Sequence, residues 1–485
     1  MSEIRNLQPS AIWGHFAQLN DIPRPSKKEE RVIEFMKQFG LGLGLETLVD
    51  EVGNVIIRKP ASPGFENRKG VILQGHLDMV PQKNSDTQHD FALDPIIAYV
   101  DGEWVKAKGT TLGADNGMGV AAAMAVLAAT DLQHGPVEAL FTIDEETGMT
   151  GAFGLKGGIL KGDILLNLDS EDEGELYVGC AGGTNANATF HYTEEAVPAG
   201  WVAFKLSITG LKGGHSGLDI ILGRGNANKL LFRYLKHAEA KHGMRLASVE
   251  GGSLRNAIPR EAFAVVVVPA DRADKIQGCV AEYESIFSKE LSLTEPGLKF
   301  KVEKTSAADS VIDKKTQLAL TAAVYGCPNG VIRMSDSLPG LVETSTNLAI
   351  VKSDKGSILV CCLMRSSVDS AKDDLGNMVE SVFSLAGADV VLDGSYPGWK
   401  PNPDSAILKT MLEVYKNKYG RTPDIKAIHA GLECGILSTN YPHWDMISFG
   451  PTIRFPHSPD EKVNIATVGK FYEYLLETLK NVPVK

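Results

Sequence analysis

No stretch of this chain is apolar enough for long enough to cross a bilayer; the small-residue run after Asn116 is too short. The opening segment MSEIRNLQPSAIWGHFAQLNDIPRPSKKEE is too polar for a signal peptide, so a cytoplasmic location and no membrane partner are expected. Basic charge is also in deficit. Lys and Arg number 49 against 60 Asp and Glu, a net charge of -11, and no basic stripe of the kind that neutralises phosphates is present, which excludes nucleic acid as a partner. Cysteine is sparse and scattered. Cys180, Cys279, Cys327, Cys361, Cys362 and Cys434 include no Cys-x-x-Cys pair, so free buried thiols are expected rather than disulfides or a sulfur metal site.

What remains is a chain of 485 residues, 43% hydrophobic and 22% charged, too long for one core and long enough for two or three domains. Residues 11–40 read as helical with a break at Pro23 and Pro25. Apolar strands at 71–73, 137–143 and 163–168 then alternate with a small-residue helix at 116–129. This pattern predicts an α/β fold, a mixed and mostly parallel sheet with helices on both faces, whose ligands collect beyond the carboxyl ends of the strands.

The texture changes after Gly182. Strands at 202–208, 262–268 and 357–364 are separated by long helical and turn-rich stretches, which reads as an inserted α+β lid domain. Within it AFAVVVVPADRADK with ESIFS echoes ILVCCLMRSSVDSAK with ESVFS at a constant offset of 96 residues, the mark of an internal duplication. The strand, Gly-rich turn and helix of PDIKAIHAGLECGIL and the strand of WDMISFGP return to the first texture. The expected division is a catalytic domain in two segments, 1–184 and 394–485, with the lid at 185–393.

Five residues of metal-ligating type stand where apolar runs end: His76 in VILQGHLDMV, Asp115 in TLGADNGMG, Glu146 in ALFTIDEETG, Asp169 in ILLNLDSE and His457 in RFPHSPDE. Each alone has an ordinary explanation. His76 and Asp78 are two positions apart and share a face of an extended chain, a common loop pair, although the same spacing lets Asp78 orient the ring of His76. Asp115 could simply cap a helix. Asp144, Glu145 and Glu146 are harder to explain blandly, since three adjacent carboxylates repel unless solvated or neutralised by a cation. Taken together, two histidines, three carboxylates and a spare carboxylate at Glu145 are the parts of a hydrolase that activates water between two divalent cations.

The ordered motifs GHLDMV, GADNG, DEETG, NLDSE and PHSP resemble the co-catalytic zinc aminopeptidase and aminoacylase superfamily. Together with IRKPASPGFENRKG, GCAGGT, GLKGGHSG, LRNAIPREAFA, YPGWKP and HAGLECG, they resemble its bacterial aminoacyl-histidine dipeptidase family (carnosinase-like peptidase D) from end to end. The resemblance implies a metallopeptidase that hydrolyses unblocked dipeptides, Xaa-His such as carnosine among them. His76 and Asp169 would hold one cation, Glu146 and His457 the other, and Asp115 would bridge them. Asp78 would orient His76, and Glu145 would be the general base. It further implies a cis peptide at Asp115-Asn116. His215 would stabilise the oxyanion, Asn256 and Gly431 would bind substrate, and Arg365 would clamp its carboxylate. Zinc is the first expectation for the two cations, with cobalt or manganese suited to the same ligands. A homodimer is allowed. An N-acyl-amino-acid deacylase or a tripeptidase on the same scaffold, or a non-catalytic binding protein, are the alternatives left open.

Overall fold

The computed structural model describes residues 3–306 and 308–485. The chain divides into two compact units. One comprises residues 1–179, 401–427 and 432–485, and the other comprises residues 180–400 and 428–431. The strand Gly182–His191 lies wholly within the second unit, as does the strand Asp389–Tyr396.

The first unit is built on a mixed sheet. Its four central strands, in the order Val137–Thr142, Val71–His76, Ile164–Asn167 and Asp445–Ser448, are parallel to one another. All residues of the first three are buried, which is why they read as continuous apolar runs rather than alternating ones. Antiparallel strands Val55–Lys59 and Glu46–Val49 extend one side, and Glu175–Cys180 and Asp424–Ile428 extend the other. The helix Ala114–Ala128 packs on the Val71–His76 strand and is buried from Gly117 to Leu127. Its alanines and glycines allow that closeness: a Cβ on Gly119 would run into the carbonyl oxygen of Leu168. The expected helical region at 11–40 is two helices, Ser10–Asn20 and Glu30–Gly42, with the proline pair between them.

The second unit is α+β, with a nine-stranded antiparallel sheet. Eight of its strands run in the order Lys299–Lys304, Trp201–Thr209, Ala262–Pro269, Arg245–Gly251, Val342–Asp354, Ser357–Ser366, Gly182–His191 and Asp389–Tyr396, and the ninth, Gly330–Met334, pairs with Val342–Asp354 off this path. Read inward from either edge, the two halves have one topology. Strand Trp201–Thr209, helix Ala227–His242, strands Arg245–Gly251 and Ala262–Pro269, helix Ala273–Glu290 and strand Lys299–Lys304 form one copy. Gly182–His191, Lys314–Gly326, Val342–Asp354, Ser357–Ser366, Asp369–Leu385 and Asp389–Tyr396 form the other. The 96-residue offset superposes the third strands and last helices of the copies. The rest of the duplication is hidden in sequence because the first copy is inserted after the opening strand of the second. The two halves meet at Glu250–Lys352 and Gly251–Val351. Their helices share one core, which includes Phe190, Phe204, Phe232, Tyr234, Phe287 and Phe383.

All six cysteines are buried and none is in a disulfide. Among the described residues no helix is long and apolar enough to cross a membrane.

Candidate metal centre

The carboxyl ends of the central strands converge on one cluster of acids and histidines. His76 is the last residue of its strand, Asp144, Glu145 and Glu146 follow Val137–Thr142, and Asp169 follows Ile164–Asn167. Asp115 stands at the start of the Ala114–Ala128 helix with non-helical angles, and the Asp115-Asn116 peptide is cis. His457 comes from a loop in the last chain segment, with φ 58.

These residues form two triads that share Asp115. Ligand atoms of His76, Asp115 and Asp169 lie within 4.8 Å of one another, as do those of Asp115, Glu146 and His457. Asp115 turns one oxygen to each histidine: Oδ1 is 3.2 Å from His76 Nε2, and Oδ2 is 3.2 Å from His457 Nε2. His457 Nε2 is also 3.0 Å from Glu146 Oε2. His76 Nδ1 faces the Asp78 carbonyl at 3.1 Å and its carboxylate at 3.4 Å, so Nδ1 keeps a proton, and loss of the Nε2 proton to an entering cation would free the Nε2 lone pair toward the shared space. Asp78 is fully buried and accepts from Ser26 Oγ at 2.8 Å and from the backbone N–H groups of Glu145 and Glu146 at 3.1 and 3.3 Å. It thereby ties the His76 loop to the acidic turn. Asp144 takes a left-handed backbone, its carboxylate accepts from the hydroxyls of Thr147 and Thr150, and it gathers with Glu29 and Asp78.

The electrostatics describe a pocket in want of positive charge. Burial works against the charged form of His76, but Asp169, Asp115 and Asp78 outweigh it and hold the imidazolium well above its usual range. Hydrogen bonds to Asp115 and Glu146 push His457 up to about 11. Burial raises Asp169 to about 7 and Glu171 to about 8, and Glu145 is raised well above the carboxylate range, by burial first and by Asp169, Glu433 and Glu146 in addition. Asp169 Oδ1 and Glu146 Oε1 are buried without a hydrogen-bond partner. Oxygens orphaned in this way, together with imidazoles whose protons occupy the shared space, suit a pair of divalent cations bound by nitrogen and oxygen.

Beneath the cluster lies a polar network that the sequence did not suggest. Glu433, from HAGLECG, is buried and accepts from Gln74 Nε2 at 2.6 Å and Thr142 Oγ1 at 2.8 Å; Gln74 in turn accepts from Asn167 Nδ2. Gln74 and Asn167 precede His76 and Asp169 by two residues, so the network links the strands that deliver those ligand-type side chains.

The second unit gathers a different set. Arg365 is buried; its Nε donates to Ser216 Oγ at 3.3 Å and its Nη1 to Tyr396 Oη at 3.0 Å, and among the described residues no carboxylate pairs with it. His215 Nδ1 accepts the N–H groups of Gly217 and Leu218 at 3.2 and 3.1 Å, which leaves the proton on Nε2 as an outward donor. Burial and the Arg365 charge hold this imidazole below its usual pKa and therefore neutral. The Asn256 carbonyl accepts from Ser216 N at 2.8 Å, and Asn256 itself is exposed. Gly431 is half-buried in the turn after His429. His429 and Ser345, absent from the sequence reading, are hydrogen-bonded at 2.7 Å, and burial with the charge of Arg365 lowers His429 to about 3.

Comparison with known proteins agrees with this chemistry. A cytosol non-specific dipeptidase of Escherichia coli (strain K12) is 49% identical over 485 residues, all of both chains. The crystal structure of an aminoacylhistidine dipeptidase from Vibrio alginolyticus is 51% identical with a TM-score of 0.96, covering 100% of this chain and 99% of that one. An aminopeptidase PepT from Bacillus cereus, 15% identical, shares the fold with a TM-score of 0.62 over 98% of this chain and 99% of its own. The profile of peptidase family M20/M25/M40 matches residues 72–481. The chain belongs to peptidase family M20/M25/M40.

Proposed function

We propose that this protein is a cytosolic two-metal dipeptidase that hydrolyses unblocked dipeptides, Xaa-His among them. The observation that carries the reading is the Asp115 carboxylate, whose two oxygens face two histidines, each completed by its own further carboxylate. In this reading His76 and Asp169 hold one cation, Glu146 and His457 the other, and Asp115 both; the set suits zinc, with cobalt or manganese as substitutes. Two bound cations lower the pKa of a water and polarise the scissile carbonyl.

The chain's own residues do the rest. Glu145 takes the proton of the attacking water and delivers it to the leaving amine, a role open to it because Glu146 rather than Glu145 faces His457. Asp78 fixes the His76 tautomer and, through two backbone amides, the position of Glu145. His215, neutral and with its Nε2 proton free, donates to the developing oxyanion. Arg365, a buried guanidinium without a carboxylate partner, binds the substrate's terminal carboxylate, while Asn256 and Gly431 contact the peptide. The names of the two full-length relatives support the dipeptide class.

The test is hydrolysis of carnosine, a panel of other dipeptides, a tripeptide and an N-acetyl amino acid, with and without prior chelation. Metal-dependent cleavage of free dipeptides with little action on the other two supports the proposal. Preference for the tripeptide or the acetylated compound would reassign the protein as a tripeptidase or deacylase, and no hydrolysis with metals bound would make it a binding protein.

A further inference from the structure

A second carboxylate acts on Asp115 from behind, through the backbone. Glu461 is 2% exposed, and its oxygens accept four successive backbone amides. Leu112 N and Gly113 N donate to Oε2 at 2.7 and 3.0 Å, and Ala114 N and Asp115 N donate to Oε1 at 2.7 and 3.2 Å. The last two belong to the first residues of the Ala114–Ala128 helix, whose preceding residue, Gly113, offers no side-chain cap. A remote glutamate therefore does what an adjacent Asp or Ser ordinarily does.

The same loop is held from its carbonyl side by Arg24, also 2% exposed. Its Nη2 donates to Gly113 O at 2.6 Å, and its Nη1 donates to Leu77 O and Asp78 O at 3.0 and 3.1 Å. Two buried groups of opposite charge type thus grip one short segment of backbone, each through peptide groups rather than by direct pairing; Arg24 Nε is left without a partner among the described residues, and burial raises the Glu461 carboxyl to about 7. The guanidinium joins that segment to the His76-Leu77-Asp78 loop. The glutamate, four positions after His457, joins it to the loop that brings His457. All three segments carrying the shared oxygens of Asp115 and the two imidazoles are linked through this clamp.

We propose that Glu461 is a positioning residue for the cation pair: with Arg24 it clamps residues 112–115 so that the Asp115 carboxylate is presented to His76 and His457 at once. This rests on the two-metal reading above. An ordinary helix cap would contribute to stability alone, whereas a clamp on a bridging ligand must also set metal affinity. An ionised carboxylate is acceptor-only and matches four N–H donors, while a glutamine of the same shape turns its NH₂ against two of them.

The experiment is a zinc titration of the chelator-stripped full chain against a chromophoric competitor, with elemental analysis after dialysis, for wild type and Glu461→Gln. Wild type is expected to bind two zinc ions. Glu461→Gln is expected to remain folded by circular dichroism and to bind the pair at least tenfold more weakly, in line with the roughly 10–100-fold usual for a group that orients a ligand. Unchanged affinity in folded Glu461→Gln would overturn the proposal. Should that variant fail to fold, Arg24→Lys decides: it keeps the charge but loses the fork that reaches three carbonyls, and wild-type zinc affinity there overturns the clamp. Failure of the wild type itself to bind two metals would instead remove the two-metal reading.

Discussion

Glu145 and Glu146 are adjacent in sequence and differ in what they face: Glu146 meets His457 at 3.0 Å, and Glu145 makes no ion pair among the described residues. Replacing Glu145 with Ala is expected to leave two metals bound and to lower kcat by about 10²–10⁴-fold, the usual contribution of general acid–base catalysis. Near-wild-type turnover with full metal content would withdraw the role of base. Asp115→Ala removes the one carboxylate that turns an oxygen to each histidine, so metal content and activity should fall together; two metals still present by elemental analysis would reduce Asp115 to a helix residue. Arg365→Ala should cost free dipeptides at least about tenfold in kcat/KM, as expected for a charge-assisted hydrogen bond of about 1.5–3 kcal/mol, and should cost the same dipeptide amides much less. Equal losses for acid and amide would show that Arg365 supports structure instead. His429 supplies a pH signature. Its folded pKa of about 3 lies below the ordinary 6.5, so the unfolded chain binds the proton first. The stability it contributes is complete above about pH 6.5 and is lost as pH falls toward 3, at about 1.4 kcal/mol per pH unit. Urea unfolding of wild type and His429→Gln at pH 7 and pH 5 checks this, with the smaller loss expected in the variant.

At the scale of elements, the strands were legible where burial on both faces makes an uninterrupted apolar run, as at Val71–His76 and Val137–Thr142, and part of the cluster was legible because His76, Glu146 and Asp169 end or follow such runs, whereas Asp115 opens a helix and His457 lies in a loop. Contacts through peptide groups were not. Glu461 serves four amides and Arg24 three carbonyls, and a peptide group has no residue identity for a sequence to display. Glu433 was hidden differently: its partners Gln74 and Thr142 sit in strands read for their apolar neighbours. The loop that carries His215 gives a test of packing between elements. A Cβ at Gly217 would run into the carbonyl oxygen of His429 and crowd the His215 ring. Gly217→Ala should therefore displace both histidines, at an overpacking cost of about 1–3 kcal/mol, and should raise KM while zinc content stays at the wild-type level. An unchanged KM would mean that the turn yields without disturbing its histidines.

For the whole molecule, the two units respond differently to metal removal. The cluster of Asp115, Glu145, Glu146 and Asp169 belongs to the first unit alone, and without cations its carboxylates repel. Chelation should therefore lower the melting temperature of a first-unit probe and leave that of the second unit nearly unchanged. Re-addition of zinc at one hundred times its dissociation constant should restore about 2.7 kcal/mol per site. Equal shifts in both units would show that they unfold together. The inserted unit was legible as a change of texture, and its duplication only in part, because the repeat is nested rather than consecutive.

That nesting also orders events during synthesis. The strand Gly182–His191 leaves the ribosome long before Ser357–Ser366 and Asp389–Tyr396, the two strands that flank it in the sheet. At about 5–20 residues per second it must wait many seconds with both edges open, while the complete first copy can fold inside the gap. The first unit waits longer still, since the strand Asp445–Ser448, His457 and Glu461 arrive almost last. A nascent or truncated chain therefore carries most of the acidic cluster before His457 arrives, and on the two-metal reading it would not hold both cations until the final segment has docked.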